Sequence, residues 1–303
     1  MIKDYKIILV PVDFKDPSLK AANYAAHLAN GQSGEIVLLN VIETPGLLFD
    51  FFSSGDDLVK ITNLAKDKLQ ELANSLMEKW PNVKFVTIVE RGKPYIKILE
   101  AAQQSEIKMV VLGENHNSNE PDAELGTTVY HVTLKSPVPV LTIKETPSEW
   151  KNKIVLPLDL TREIQKQLKA AMLYAKNYDA EIHLVSALIG GIKVSESRIH
   201  KKLKEAEKEL KANNIKTKVK LFEVSKVPPF MRVLQYSEEI EADMIIVLTH
   251  QEGYTYDNYI GAFAHQIINL SKMPVLSLTA TAIDFYFEQY LKRFLDPLGF
   301  TEK

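Results

Sequence analysis

The residues best placed for chemistry lie between positions 109 and 144. Met109-Val110-Val111-Leu112 is an apolar run of strand type that stops at Gly113. A polar loop follows, rich in Asn, Glu and Asp, with Pro121 inside it. Gly126-Thr127-Thr128 then opens a short helix carrying Val129, Val132 and Leu134. Ser136-Pro137 ends that helix, and Val140-Leu141-Thr142-Ile143 reads as another strand. A strand, a glycine, a loop and a Gly-Thr pair at a helix start together make a cradle for an anion. Free backbone N–H groups at a helix N-terminus, with a hydroxyl beside them, suit phosphate.

Charge complicates this cradle. Loop 114–124 holds Glu114, Glu120, Asp122 and Glu124 and no Lys or Arg, so a polyphosphate would meet like charge there. Positive charge must come from outside the loop, from Lys15 or Lys93, or from a divalent cation. Other chemistries have no seat. Gly-x-Ser-x-Gly and Gly-x4-Gly-Lys-Ser/Thr are both absent, and no catalytic residue stands out. The His residues at 27, 116, 131, 183, 200, 250 and 265 include no pair at i,i+3 or i,i+4, so no helical metal pair exists. His116 with Asp122 and Glu124 reads as a solvated acidic loop rather than a metal site. Tyr254, Tyr256 and Tyr259 offer either packing against a neighbouring element or a patch for a partner.

Composition narrows the classes further. Cysteine is absent, which removes disulfides, thiolate chemistry and Cys-based zinc. A net charge of −2 carries no footprint for nucleic acid, and no apolar run approaches the ~20 residues of a membrane span. The early chain, with Asp4 and then Asp13, lacks the apolar core of a signal peptide, so a cytoplasmic soluble protein is expected.

The elements that must position the cradle alternate strand and helix. Residues 7–12 and 36–41 read as strands, and between them Leu19, Ala22, Ala26 and Ala29 recur at helical spacing. After the apolar run 47–52, Leu58, Ile61, Leu64, Ala65, Leu69, Leu72, Ala73 and Leu76 mark a long amphipathic helix. A strand over 83–89 and a helix from Pro94, with Ile96, Ile98, Leu99 and Ala102, complete the set. The pattern predicts a parallel sheet with helices on both faces. It then repeats: Leu156-Pro157-Leu158-Asp159 echoes Val10-Pro11-Val12-Asp13, and an offset of 135 carries Met109-Val110-Val111-Leu112 onto Met244-Ile245-Ile246-Val247. The join falls near 147–152. Residues 200–220 form a solvated amphipathic helix with Leu203, Ala206 and Leu210 on one face. In the tail, Ile283, Phe287, Tyr290, Leu291 and Phe294 paint one helical stripe, predicting an amphipathic helix that docks on apolar surface.

The stretch 113–127 resembles the universal stress protein family, whose nucleotide-binding members carry Gly-x2-Gly-x9-Gly followed by Ser or Thr. Here the pattern falls on Gly113, His116, Gly126 and Thr127, with His116 in place of the second glycine. Pro139-Val140-Leu141 matches the family's closing strand, and residues 7–25 its first strand and helix. The resemblance implies that Asp13 contacts adenosine and that Val41 offers backbone groups to adenine. It also implies an α/β fold of two tandem doubly wound parallel five-stranded sheets of the adenine-nucleotide alpha-hydrolase-like type, each with strand order 3-2-1-4-5. These would pack as an internal pseudo-dimer through their last strands. The expected domains are two universal stress protein-like repeats, 1–146 and 150–280, and a C-terminal amphipathic helix tail over 281–303. The offset of 135 puts Leu248, Gln251 and Ala262 at three of the four motif positions of the second repeat, leaving Gly261. ATP or AMP, with Mg²⁺, is therefore expected in the first repeat alone. If the backbone at His116 needs a positive φ, a non-glycine there costs ~1–2 kcal/mol. The leading reading is a stress-response or signalling module, acting as a monomer built as a pseudo-dimer or as a homodimer. A nucleotide-free adaptor for an unknown protein partner stands beside it, and a slow nucleotide hydrolase comes third.

Overall fold

A computed structural model describes residues 7–31, 34–43, 55–104, 106–114, 125–146, 150–158, 164–187, 198–222, 226–249, 251–252 and 259–279. The chain divides into two compact units, Met1–Thr146 and Pro147–Lys303.

In unit 1, five parallel strands are β1 (Ile7–Pro11), β2 (Glu35–Ile42), β3 (Lys84–Arg91), β4 (Ile107–Gly113) and β5 (Val140–Ile143), in spatial order β3-β2-β1-β4-β5. Leu9, Val10, Ile36, Leu38, Val110, Val111 and Leu141 are buried, as near-continuous apolar runs require when both faces of a sheet are covered. Helix α1 (Asp16–Asn30) lies close to the sheet because its buried face is small: Ala21, Ala22, Ala25, Ala26 and Ala29. Leu19, expected on that face, falls one position off it and is exposed. Helix α2 (Gly55–Lys79) buries Ala65, Leu69, Ala73 and Leu76 but leaves Ile61 45% and Leu64 56% exposed. Length explains the departure from the expected stripe. Twenty-five helical residues reach ~37 Å, whereas the eight of β3 span ~26 Å, so one end of the helix has no strand beneath it. Its other end leads into Trp80, whose indole N–H donates to Asn23 Oδ1 at 3.1 Å, with the His27 ring edge-on at 5.6 Å. Helices α3 (Pro94–Ala102) and α4 (Thr127–Lys135) complete the unit, and Ile96 on α3 is exposed rather than packed.

Unit 2 repeats the topology. Strands β6 (Lys153–Pro157), β7 (Glu181–Ala187), β8 (Thr217–Phe222), β9 (Met244–Thr249) and β12 (Val275–Thr279) are parallel in the order β8-β7-β6-β9-β12. The helices are α5 (Gln165–Tyr178), α6 (Arg198–Ala212), α7 (Pro229–Glu239) and α8 (Ala262–Leu270). Leu203, Ala206 and Leu210 are buried, as the spacing predicts, but the helix expected over 200–220 stops at Ala212, and Thr217–Phe222 forms β8 instead. A short antiparallel pair, β10 (Gln251–Glu252) with β11 (Tyr259–Ile260), sits between β9 and α8 and was not visible in the sequence pattern. Both units thus have the doubly wound order expected. Among the described residues, no helix is long and apolar enough to cross a membrane. The apolar run 47–52, most of loop 114–124 with His116, residues 254 and 256, and the tail 281–303 lie outside the described residues.

Candidate functional site

In unit 1 the strand order reverses between β1 and β4, because β1 continues to β2 on one side and β4 to β5 on the other. Such a switch point opens a crevice beyond the carboxyl ends of the strands. Asp13 follows β1, Gly113 ends β4, Val41 lies near the end of β2, and Gly126-Thr127 heads α4, so these five gather at one edge of one sheet. The sixth, His116, lies outside the described residues.

Gly113 is required by packing before any ligand is considered. A Cβ there would collide with the Pro17 carbonyl and lie 2.6 Å from the Ser18 nitrogen, so β4 ends against the first turn of α1. The helix alone demands a bare backbone there. At Gly126, by contrast, a Cβ would meet only the Glu114 carboxylate, at 3.3 and 3.5 Å. Gly126 precedes α4 at φ −54° and ψ 139°, and its carbonyl accepts from the Tyr130 N–H at 2.9 Å.

The loop after β1 is held by its own hydrogen bonds. The Asp13 N–H donates to Ser18 Oγ at 3.2 Å, that hydroxyl donates to the Lys15 carbonyl at 2.9 Å, and the Lys15 N–H donates to Asp13 Oδ1 at 3.0 Å. Burial alone would raise the Asp13 carboxyl, but Ser18 and Lys15 together hold it below its ordinary range. Between them Phe14 sits at φ +64°, a left-handed conformation costing a non-glycine residue ~1–2 kcal/mol. Asn40, buried at the end of β2, donates from Nδ2 to the Val12 carbonyl at 2.7 Å and ties the two strand ends together.

Lys15 and Lys93, the cations expected near the cradle, are joined at this edge by a third lysine. Lys15 is exposed and placed 3.5 Å from Asp13 Oδ2, and Lys93 is exposed at the start of α3. Lys144, directly after β5, is only 6% exposed. Gly113 pairs with Ile143, and the Glu114 N–H donates to the Ile143 carbonyl at 2.9 Å, so Glu114 and Lys144 are the next residues on adjacent strands. Burial lowers the Lys144 ammonium to about 8, with the Glu114 charge pulling it back up. Sequence reasoning missed this residue because one lysine at a strand end looks like any other. Counting three residues beyond the closing Val140-Leu141 would have placed it at the carboxyl edge.

A family model for universal stress proteins matches residues 4–144 and again 151–278. The chain belongs to the universal stress protein family. Among similar relatives, the universal stress protein MJ0531 of Methanocaldococcus jannaschii is 27% identical over 148 residues, which is 48% of this chain and 85% of that protein. YxiE of Bacillus subtilis, also a universal stress protein, is 28% identical over 144 residues, covering 45% of this chain and 97% of its own length. A solved universal stress protein from Archaeoglobus fulgidus covers 91% of this chain and 98% of its own, with a TM-score of 0.74 at 21% identity, and so shares the fold over both units.

The second universal stress protein repeat keeps the backbone of the cradle without its chemistry. Gly261 precedes α8 at φ −54° and ψ 140°. Leu248 stands for Gly113 and pairs with Leu278, and Thr249 and Thr279, both buried, stand for Glu114 and Lys144. Thr249 Oγ1 donates to the Leu278 carbonyl at 3.2 Å. Leu248 fits because α5 begins eight residues after β6, whereas α1 begins five after β1. Unit 2 has its own polar chain elsewhere. His183, 2% exposed on β7, has Nδ1 2.8 Å from the Tyr236 hydroxyl on α7 and Nε2 3.1 Å from Glu181, which also meets Lys218 at 3.1 Å. A carboxylate can only accept, so Nε2 carries the proton and Tyr236 donates to Nδ1. Burial keeps His183 below its usual range, although Glu181 opposes it, and burial with nearby Glu239 and Glu181 raises Tyr236. Glu181-x-His183 alternation was the available signal for this pair.

Proposed function

We propose that unit 1 binds an adenine nucleotide, ATP or AMP, and that the protein works as a stress-signalling module with one such site per chain. The observation that carries this reading is the convergence of the Asp13 loop, the Gly113 strand end and the Gly126-Thr127 helix start at the switch point of a single sheet. The strained Phe14 and the Asn40 brace support it, since both fix the loop beside that crevice. The exposed N-terminus of α4 supplies N–H groups, the Thr127 hydroxyl adds a donor, and Lys144 supplies the charge that the loop lacks. Mg²⁺ would enter with the nucleotide, held mainly by phosphate oxygens.

Calorimetric titration with ATP and with AMP, each with and without Mg²⁺, tests the reading. One site per chain and tighter binding with Mg²⁺ are expected. No heat at millimolar ATP with Mg²⁺, together with no adenine nucleotide released on denaturing the purified protein, would overturn it. One observation favours a second reading, a nucleotide-free adaptor. Val59, Ile61 and Leu64 are exposed on the overhanging end of α2, and a protein partner would cover them.

A further inference from the structure

We propose that the β8 edge of unit 2 docks an extended acidic segment of another protein: the segment adds as a strand beside β8 and sets carboxylates against Lys220 and Arg232. This docking does not depend on nucleotide in unit 1.

The edge is open. Among the described residues, β8 pairs only with β7. The Ile182 N–H donates to the Lys216 carbonyl at 2.9 Å, which turns the backbone groups of Lys216, Lys218 and Lys220 towards β7 and those of Thr217, Val219 and Leu221 outward. Such an edge takes a further strand by main-chain hydrogen bonds. It also carries unneutralised charge. Lys220 Nζ stands 5.2 Å from the centre of the Phe222 ring and 5.7 Å from that of Tyr236, and the Arg232 guanidinium lies 5.3 Å from the same Phe222 ring. Lys218 already pairs with Glu181 at 3.1 Å, but neither Lys220 nor Arg232 has a carboxylate partner among the described residues. Arg232 Nε is buried with no hydrogen bond there. Lysines that merely guard an edge extend into water. These two cations are instead half-buried and held over rings, as a preformed seat for an anion would be.

Unit 1 supplies an internal control. With His183 as the counterpart of Val37, the strand registers put Val86 and Ile88 of β3 where β8 has Lys218 and Lys220. The fold accepts apolar residues at those positions, so the cations are not a folding requirement. Charge chooses the occupant. Residues 198–232 hold eleven Lys and Arg against four Glu in a chain of net charge −2, so an acidic strand is attracted, whereas a second β8 would set lysine against lysine. Nucleic acid fits less well, because bases stack on open aromatic faces and two cations already stand over Phe222. Lys218, Lys220 and Phe222 alternate onto one face of the sheet. The partner's acidic residues therefore fall at every second position, with apolar residues between them beside Val219, which is 38% exposed.

Fluorescence anisotropy of a labelled Glu-Val-Glu-Val-Glu-Val peptide with the full chain provides the test. Wild type is compared with the double variant Lys220→Gln, Arg232→Gln and with Val219→Pro, after thermal unfolding shows that each is folded. Val219→Pro removes an outward N–H and leaves the hydrogen bonds to β7 in place. Wild type should bind the peptide, less tightly as salt rises, and the double variant should bind at least about tenfold more weakly. Val219→Pro should lose binding; if that variant does not fold, a Glu-Pro-Glu-Pro-Glu-Pro peptide, which cannot pair as a strand, replaces it and should not bind wild type. No binding to wild type at millimolar peptide, or equal binding by wild type and the double variant, overturns the proposal. So does equal binding of the proline peptide, which would mean attraction by charge without strand addition. Tighter binding of oligothymidylate would make the edge a nucleic-acid surface, and a dimer of wild type that Val219→Pro abolishes would give it to a second copy; either result overturns the proposal.

Discussion

At Gly126 and at Gly261 the chain enters a helix with almost the same backbone angles, −54° and 139° against −54° and 140°. The residues at the adjoining strand ends differ. Unit 1 presents an acidic group, a buried lysine, a bare strand end and a hydroxyl; unit 2 presents two threonines, Leu248 and Ala262. The fold therefore needs the helix start and does not need the chemistry. Unit 1 retains features that work against its stability, namely a buried ammonium at Lys144 and a left-handed Phe14. Unit 2 has Thr279 in place of that lysine and carries polar groups in its helix–sheet layer. His183 lies where unit 1 has Val37, and Tyr236 where unit 1 has Ala101.

If the two units differ in this way, exchanging their residues should have unequal effects. The largest is expected for Gly113→Leu, which copies Leu248 into unit 1. Its side chain would collide with the Pro17 backbone, and a loss of about 3 kcal/mol, read as a fall in melting temperature, is expected. A variant as stable as wild type would show that α1 can retreat as α5 does. Next comes Gly126→Val. Only the end of the Glu114 side chain stands in its way, so folding should survive while ATP binding weakens by more than about tenfold. Gly261→Val should leave ATP binding unchanged; equal losses in both variants, by calorimetry, would erase the asymmetry.

Two smaller effects concern unit 2. Tyr236→Phe removes the donor to His183 Nδ1 and should cost about 1 kcal/mol in denaturant unfolding, with no effect on nucleotide. The pH dependence follows from the sign of the His183 shift. Its folded pKa lies below the 6.5 of the free side chain, so the unfolded chain takes up a proton more readily in the window beneath 6.5. The stabilisation is complete above 6.5 and is lost as pH falls through that window. Glu181, hydrogen-bonded to Nε2, opposes the shift; Lys218 and Lys153 reinforce it. Replacing His183 with Val, the residue of unit 1, should flatten that part of the stability profile. An unchanged profile would mean that another group titrates there.

Topology was legible in the sequence because apolar runs of four to six residues, bounded by Gly, Pro and Asp, have few other uses. The duplication was legible because Pro-Val-Leu and the apolar run before the loop recur at one offset. Helix faces were read less well. Leu19 and Ile61 fit a periodic stripe yet are exposed, since alanines rather than leucines line the close approach of α1 and α2 overhangs its strand. Of the candidate site, the glycines and Thr127 announced themselves by spacing. Phe14 did not, because nothing in a phenylalanine signals a positive φ. Lys144 did not, because burial at a strand end is decided by neighbours on other strands, and 37 Lys and Arg residues compete for notice.

The indole of Trp80, anchored to Asn23 and edge-on to His27, has a practical use in spectroscopy. The chain holds two tryptophans, Trp80 in unit 1 and Trp150 in unit 2, so each unit carries its own fluorophore. Trp150→Phe leaves an emission that reports on unit 1 alone, and Trp80→Phe leaves one for unit 2. Because imidazolium quenches indole and imidazole scarcely does, the Trp80 signal also registers the charge of His27, whose burial delays its protonation to lower pH. Unfolding of the two halves can thus be followed separately in one intact chain, by intensity, without any attached label.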